Sequence, residues 1–159
     1  MTWELESFNC KGYPDTCKTW VIEYNFPGGT HPVTKNRFGG DARTGYVPDT
    51  QEGREILALL VKSFRRKLTF TVGYSVVRGR DNCIVWNGVH HKTNTNRGSS
   101  HYGYPDDTYF NRLKQELALK GVTHETPEEA YAEVDEVTLS VSRVTIGSDG
   151  KEVTSKKHK

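Results

Sequence analysis

His90 and His91 open the stretch of this chain whose side chains can grip a polar ligand and move a proton. They stand in Trp86-Asn87-Gly88-Val89-His90-His91-Lys92-Thr93. After a polar interval come Tyr102-Gly103-Tyr104-Pro105-Asp106 and a helical segment carrying Glu116. Imidazole titrates near neutrality and uses either ring nitrogen, which suits a sugar hydroxyl or a phosphate. Neighbouring side chains of an extended segment point to opposite faces, so one histidine faces the pocket while the other supports the fold or meets solvent. Glu116 lies between the apolar Leu113 and Leu117, where partial desolvation lifts a carboxyl towards a base's working range. The plainer reading is a surface ion pair with Arg112 or Lys120, four residues away. Tyr102 can donate a hydrogen bond, but a phenol ionising near pH of about 10 is a poor general base; its other use is packing on Tyr104. Gly73 and Gly103 would let backbone N–H groups approach a phosphate closely. Further metal ligands near the histidines are limited to His101 and Cys83, at no recognised spacing, so no metal site is expected.

The elements that must position these groups are legible in part. Trp20, Ile22, Tyr24 and Phe26 alternate with more polar residues and read as a half-buried strand stopped by Pro27-Gly28-Gly29. The Gly-, Asn-, Lys- and Thr-rich stretch to about Gly45 reads as a long loop. Asp49 or Thr50 caps a helix to about Arg66 with Ile56, Leu59, Leu60 and Phe64 on its core face. Leu68–Tyr74 and Asn82–Trp86 are strands joined by a turn at Arg78-Gly79-Arg80-Asp81. Asp106 or Asp107 caps a second helix that buries Phe110, Leu113 and Leu117 and closes at Gly121. Thr126-Pro127-Glu128-Glu129 has the form of a capping box for a short helix to about Val134. Val137–Ser142 alternates as a strand, and Ser148-Asp149-Gly150-Lys151 signals a hairpin turn.

The 159 residues suit one domain with a sizeable core. A balance of 22 basic and 20 acidic residues does not demand nucleic acid as a partner. No apolar run reaches the roughly 20 residues of a membrane helix, and the amino terminus lacks the pattern of a signal peptide, so the expected location is intracellular, cytoplasmic or nuclear. Cys10, Cys17 and Cys83 form neither a disulfide framework nor a paired-cysteine zinc site.

W-N-x-x-H-H-K-T, Y-G-Y-P-D and x-x-E-L-x-x-x-G, in that order, resemble the carboxy-terminal domain of the Deltex family of ubiquitin ligases. The resemblance extends to Thr19–Gly29, ending in F-P-x-G, to Arg43-Thr44-Gly45-Tyr46-Val47-Pro48-Asp49, and to Phe70-Thr71-Val72-Gly73. Several such strings in one order are more specific than any one of them. It covers about Ser7 to Val122. It implies an α+β fold, a twisted, mostly antiparallel sheet with two main helices, to which this sequence adds a C-terminal helix and β-hairpin. The expected organisation is a Deltex C-terminal-like domain over 1–122 with residues 123–159 packed on it.

The resemblance also implies a pocket for ADP-ribose or NAD between the Gly73 loop, the His90–Gly103 loop and the second helix. His90, Glu116 and Tyr102 would be its catalytic groups. Arg43, Gly73, Ser75, His90, Thr93, Tyr102, Gly103 and Tyr104 would bind the ligand. Tyr102 stands where one branch of the family has a histidine held to be catalytic, so His90 or Glu116 would be the base here. Val76 and Val77 replace small polar residues of the family's loop. No cofactor is required beyond that ligand. Expected partners are ADP-ribose or an ADP-ribosylated protein, with a RING protein and a ubiquitin-loaded conjugating enzyme where ubiquitin is transferred; these residues hold no RING. Alternatives are direct assistance of ubiquitin transfer to an ADP-ribose hydroxyl, binding of single-stranded nucleic-acid 3′ ends, and a protein-interaction scaffold that leaves the pocket empty.

Overall fold

Trp20, Ile22 and Tyr24 point into the core from strand β2 (Thr19–Phe26), as a period of two dictates. The structure, a computed structural model, describes residues 1–30, 32–76, 78–124, 144–146 and 152–154. Its other elements are β1 (Thr2–Glu6), β3 (Gly29–Thr30), β4 (Arg37–Phe38), β5 (Asp41–Pro48), α1 (Gln51–Arg65), β6 (Phe70–Ser75), β7 (Arg80–Trp86), a 3-10 turn at Ser99–His101, α2 (Tyr109–Leu119), β8 (Val144–Ile146) and β9 (Glu152–Thr154). The fold is α+β, and its described strands pair antiparallel. The larger sheet has the order β5-β2-β1-β8-β9, beside the β3–β4 and β6–β7 ladders.

The stretch from Gly28 to Gly45 is not the long loop its composition suggests. It holds the short β3–β4 hairpin and then enters β5, which pairs with the whole of β2 from Phe26↔Asp41 to Thr19↔Pro48. The inward positions of β5 include Gly45 and Val47, so the strand has little apolar alternation of its own. Strand β1 lies on the other side of β2. The expected helix after Thr126, strand Val137–Ser142 and turn at Ser148–Lys151 lie outside the described residues. Strands β8 and β9 pair with each other, and β8 pairs with β1.

Helix α1 starts at Thr50, whose hydroxyl accepts the Gly53 N–H at 3.0 Å. Asp49 instead accepts the Trp20 indole N–H at 3.0 Å and pairs with Arg54. Ile56, Leu59, Leu60 and Phe64 are buried, and so are Leu57, Ala58 and Val61. Burial on most of its circumference follows from contact with both β5 and α2. Helix α2 buries Phe110, Leu113 and Leu117. Gly121 terminates it at φ +74°, with its N–H on Ala118 O, while the Val122 N–H reaches Leu117 O. Neither Asp106 nor Asp107 is the residue before α2; that place is taken by Thr108. The Asp106 carboxylate accepts the Thr108 N–H at 3.2 Å and has stronger partners elsewhere.

The two core faces meet at His91. Its ring stacks on Trp86 at 4.4 Å between centroids and stands edge-on to Tyr24 at 5.3 Å. Nδ1–H donates to Val89 O at 2.9 Å, which leaves Nε2 to accept the Tyr24 hydroxyl at 2.6 Å. A Cβ on Gly45 would sit 3.0 Å from this ring, so the glycine in β5 makes the room the imidazole occupies. Burial pushes the His91 pKa down to about 4. Between that value and the ordinary 6.5, the unfolded chain binds a proton that the folded one refuses. Stability from this group is therefore complete above the unfolded value and drains away as pH falls towards about 4. Urea denaturation should show a loss of about 3 kcal/mol across this window. His91→Gln, which keeps a donor and an acceptor but does not titrate, should flatten the profile; an unchanged slope in that variant would remove His91 as its source.

Candidate functional site

The loop after β7 places its two histidines on opposite sides. His91 goes inward, while His90 has a side chain 66% exposed. Its backbone N–H donates to Glu116 Oε1 at 3.1 Å, and its ring Nδ1 lies in hydrogen-bond contact with Glu116 Oε2. Glu116 therefore does not pair with Arg112 or Lys120, the surface reading of the sequence. It fixes both the backbone and the ring of His90, turning Nε2 away from the carboxylate. The buried hydroxyl of Tyr109 donates to His90 O at 2.7 Å and anchors the same residue from the first turn of α2.

His90 lines a cavity of about 440 Å³ with His91, Lys92, Ser99, Tyr102, Asp106, Thr108, Tyr109 and Arg112. Tyr102 is 65% exposed and holds the left-handed conformation at φ 57°. Its carbonyl accepts the N–H groups of Thr93 and Asn94, which leaves its phenol at the cavity. His90, Glu116 and Tyr102 are thus brought into one neighbourhood, the first two in direct contact.

The expected ligand residues divide. Arg43 and Ser75 line a second cavity of about 500 Å³ with Tyr74, Val76, Arg78, Val85 and Trp86, rather than the one at His90. Arg43 binds Ile84 O at 3.1 Å and Asp41 at 2.6 Å, so it braces β5 against β7. Ser75 is nearly buried, and its hydroxyl accepts the Arg78 N–H at 3.2 Å. Gly73 lies within β6 opposite Cys83. Thr93 is exposed, with its N–H engaged by Tyr102 O.

Two expectations are corrected. Tyr104 is a core residue rather than a ligand-binding one: it is 1% exposed, and its hydroxyl donates to Tyr46 O at 2.7 Å. Gly103 does not cradle a phosphate. Its N–H donates to Gly98 O, and a Cβ there would lie 1.7 Å from Asn96 O, so the missing side chain is needed for the loop to pack on itself.

The sequence reading missed the groups that hold the cavity open. Lys92 and Asp106 form an ion pair at 2.7 Å with side chains 5% and 6% exposed. The ammonium also sits over the Tyr109 ring at 4.9 Å. Burial alone would push the Asp106 carboxyl up. The hydrogen bond and charge of Lys92, the Thr108 N–H and the charge of Arg112 together hold it below the usual carboxylate range. Arg112, 53% exposed, contacts the same carboxylate from the cavity side. The available signal was positional: Lys92 and Asp106 each stand inside one of the two distinctive strings. Among the described residues, no group of three or more His, Cys, Asp or Glu is placed to hold a metal ion, and no helix is long and apolar enough to cross a membrane.

Comparison with known proteins supplies the context. The family model described as the Deltex C-terminal domain matches residues 1–122. A human protein described as "Probable E3 ubiquitin-protein ligase DTX3" is 46% identical over 109 residues, 66% of this chain and 31% of that protein. Mouse "E3 ubiquitin-protein ligase DTX4" is 36% identical over 132 residues, 79% of this chain and 21% of that protein. Human "E3 ubiquitin-protein ligase DTX1" is 36% identical over 129 residues, 77% of this chain and 21% of that protein. The match spans less than a third of each of these relatives.

Asp106 and Arg112 should differ sharply in their effect on stability. Asp106→Ala strands a buried lysine and should cost about 3–5 kcal/mol in urea denaturation. Arg112→Gln leaves the Lys92 pair in place and should cost less than about 1 kcal/mol. Equal losses would mean that Arg112, not Lys92, is the partner that matters to the fold.

Proposed function

This chain belongs to the Deltex C-terminal domain family, and on that premise we propose that its His90–Tyr102 cavity binds ADP-ribose, free, within NAD or attached to a protein. The observation that carries this reading is the grip of Glu116 on both the backbone N–H and the ring of His90 at the cavity mouth. With Nδ1 engaged by a carboxylate, Nε2 is oriented to bond a hydroxyl of an entering sugar. The Tyr102 phenol and the Ser99 and Thr108 hydroxyls add hydrogen-bonding groups, and Arg112 adds positive charge for a phosphate. A cavity of about 440 Å³ is of the size that encloses much of a ligand of this kind.

Calorimetric titration of ADP-ribose into the wild type, with AMP as control, tests the reading. Saturable binding of ADP-ribose, weakened at least tenfold by His90→Ala, is expected, a loss of about 1.4 kcal/mol or more. A folded wild type that takes up no ADP-ribose overturns the proposal.

The same dyad favours a second role. A carboxylate-held imidazole can take a proton from a ribose hydroxyl as it attacks a ubiquitin thioester. In that step the hydroxyl oxygen bonds the ubiquitin carbonyl carbon, the thioester C–S bond breaks with release of the conjugating enzyme's cysteine thiolate, and the hydroxyl proton passes to His90. With a RING protein and a ubiquitin-loaded conjugating enzyme supplied, Glu116→Gln should slow transfer to ADP-ribose about 10²-fold or more. Its affinity for ADP-ribose should fall much less. Loss of affinity and rate in equal proportion would reduce the dyad to a binding device.

A further inference from the structure

Resting on the ADP-ribose reading, a further step concerns which group in the cavity reads the ligand's charge. Arg112 and Glu116 stand four residues apart on α2, where side chains one turn apart lie ~5–6 Å from each other and ordinarily pair. Here they do not. Glu116 is taken by His90, and Arg112 turns to Asp106. Arg112 lines the cavity itself, while Glu116 reaches it through His90, which lines it too.

The basic pole carries surplus charge. Asp106 is already paired with Lys92 at 2.7 Å, both side chains almost wholly buried. Arg112 is a second cation on one carboxylate, and its side chain is 53% exposed. Its Nε donates to Thr108 Oγ1 at 3.1 Å, which aims the guanidinium along the cavity wall. Ser99 lines the same cavity. A guanidinium fork meets phosphate oxygens in a bidentate way that an ammonium cannot. A phosphate arriving here competes with a carboxylate that keeps its lysine, so releasing Arg112 strands no buried charge.

We propose that Arg112 is the anion-reading residue of this site. It takes a phosphate of the diphosphate at the first turn of α2, while the His90–Glu116 pole one turn further on takes a ribose hydroxyl. The site thereby selects phosphorylated sugars over neutral ones and fixes the direction in which the ligand lies.

The test compares wild type, Arg112→Gln and Arg112→Lys by calorimetry at low and moderate salt, with ADP-ribose and with inorganic pyrophosphate as separate probes. Circular dichroism checks that each variant is folded. The expected result is ADP-ribose binding weakened at least tenfold in Arg112→Gln and less in Arg112→Lys, with a shallower salt dependence in the glutamine variant. Wild-type affinity in Arg112→Gln would overturn the assignment and leave the ADP-ribose reading standing. A wild type that ignores ADP-ribose but binds pyrophosphate through Arg112 would do the reverse. Binding of neither probe would remove both.

Discussion

The fold around this site depends on one buried, neutral imidazole. His91 accepts a hydrogen bond from Tyr24 in β2, donates one to Val89 in its own loop, stacks on Trp86 at the end of β7 and lies over Gly45 in β5. Elements distant in sequence converge on one ring, and both ring nitrogens are satisfied, the condition under which a buried polar group is tolerated. Because the side chains of adjacent residues diverge, fixing His91 inward fixes His90 outward. The core turns the exposed histidine outward, and Glu116 and Tyr109 of α2 then fix its ring and backbone.

A second constraint joins the two distinctive strings. Lys92 follows the histidines, Asp106 ends Y-G-Y-P-D, and their buried pair ties the ends of the loop that carries Tyr102. A buried ion pair gains little over an apolar substitute, yet removing one member leaves an uncompensated charge. Its value here is geometric, because it sets the distance between the His90 segment and the start of α2. Gly103 acts in the same sense, letting the intervening loop close on the Asn96 carbonyl. Residues that resemble ligand contacts by type are thus partly the means by which the loop is built.

Helices α1 and α2, strand β2 and the β6–β7 ladder were legible because their apolar residues recur at helical or strand periods. Strand β5 was not. Its inward positions include a glycine whose space is filled by a ring from a residue far along the chain, so no local pattern betrays it. Strand β1 is short, with burial confined to Thr2 and Trp3 at its start. In the site, the residue types at His90, Tyr102 and Glu116 were readable. Their pairing was not, since the choice of Glu116 between Arg112, Lys120 and His90 is settled by how α2 docks on the loop. Tyr104 was misread because an aromatic beside a glycine looks alike whether it faces a ligand or the core.

The arrangement separates buried, structural duties from exposed, cavity-facing ones among residues close in sequence. His91 and Lys92 are buried and fully engaged, while His90 between them and Val89 is exposed. Tyr104 is buried, while Tyr102 two residues earlier projects outward from a left-handed backbone. Asp106 is buried, while its outer partner Arg112 is half in solvent. In each pair the inner member secures the backbone, so the outer one can exchange partners without unfolding the loop. That would serve the proposed ADP-ribose site, where the same side chains would release one partner to accept another. It also explains how a short loop of polar residues keeps a defined cavity: its order comes from the core side, not from contacts across the opening.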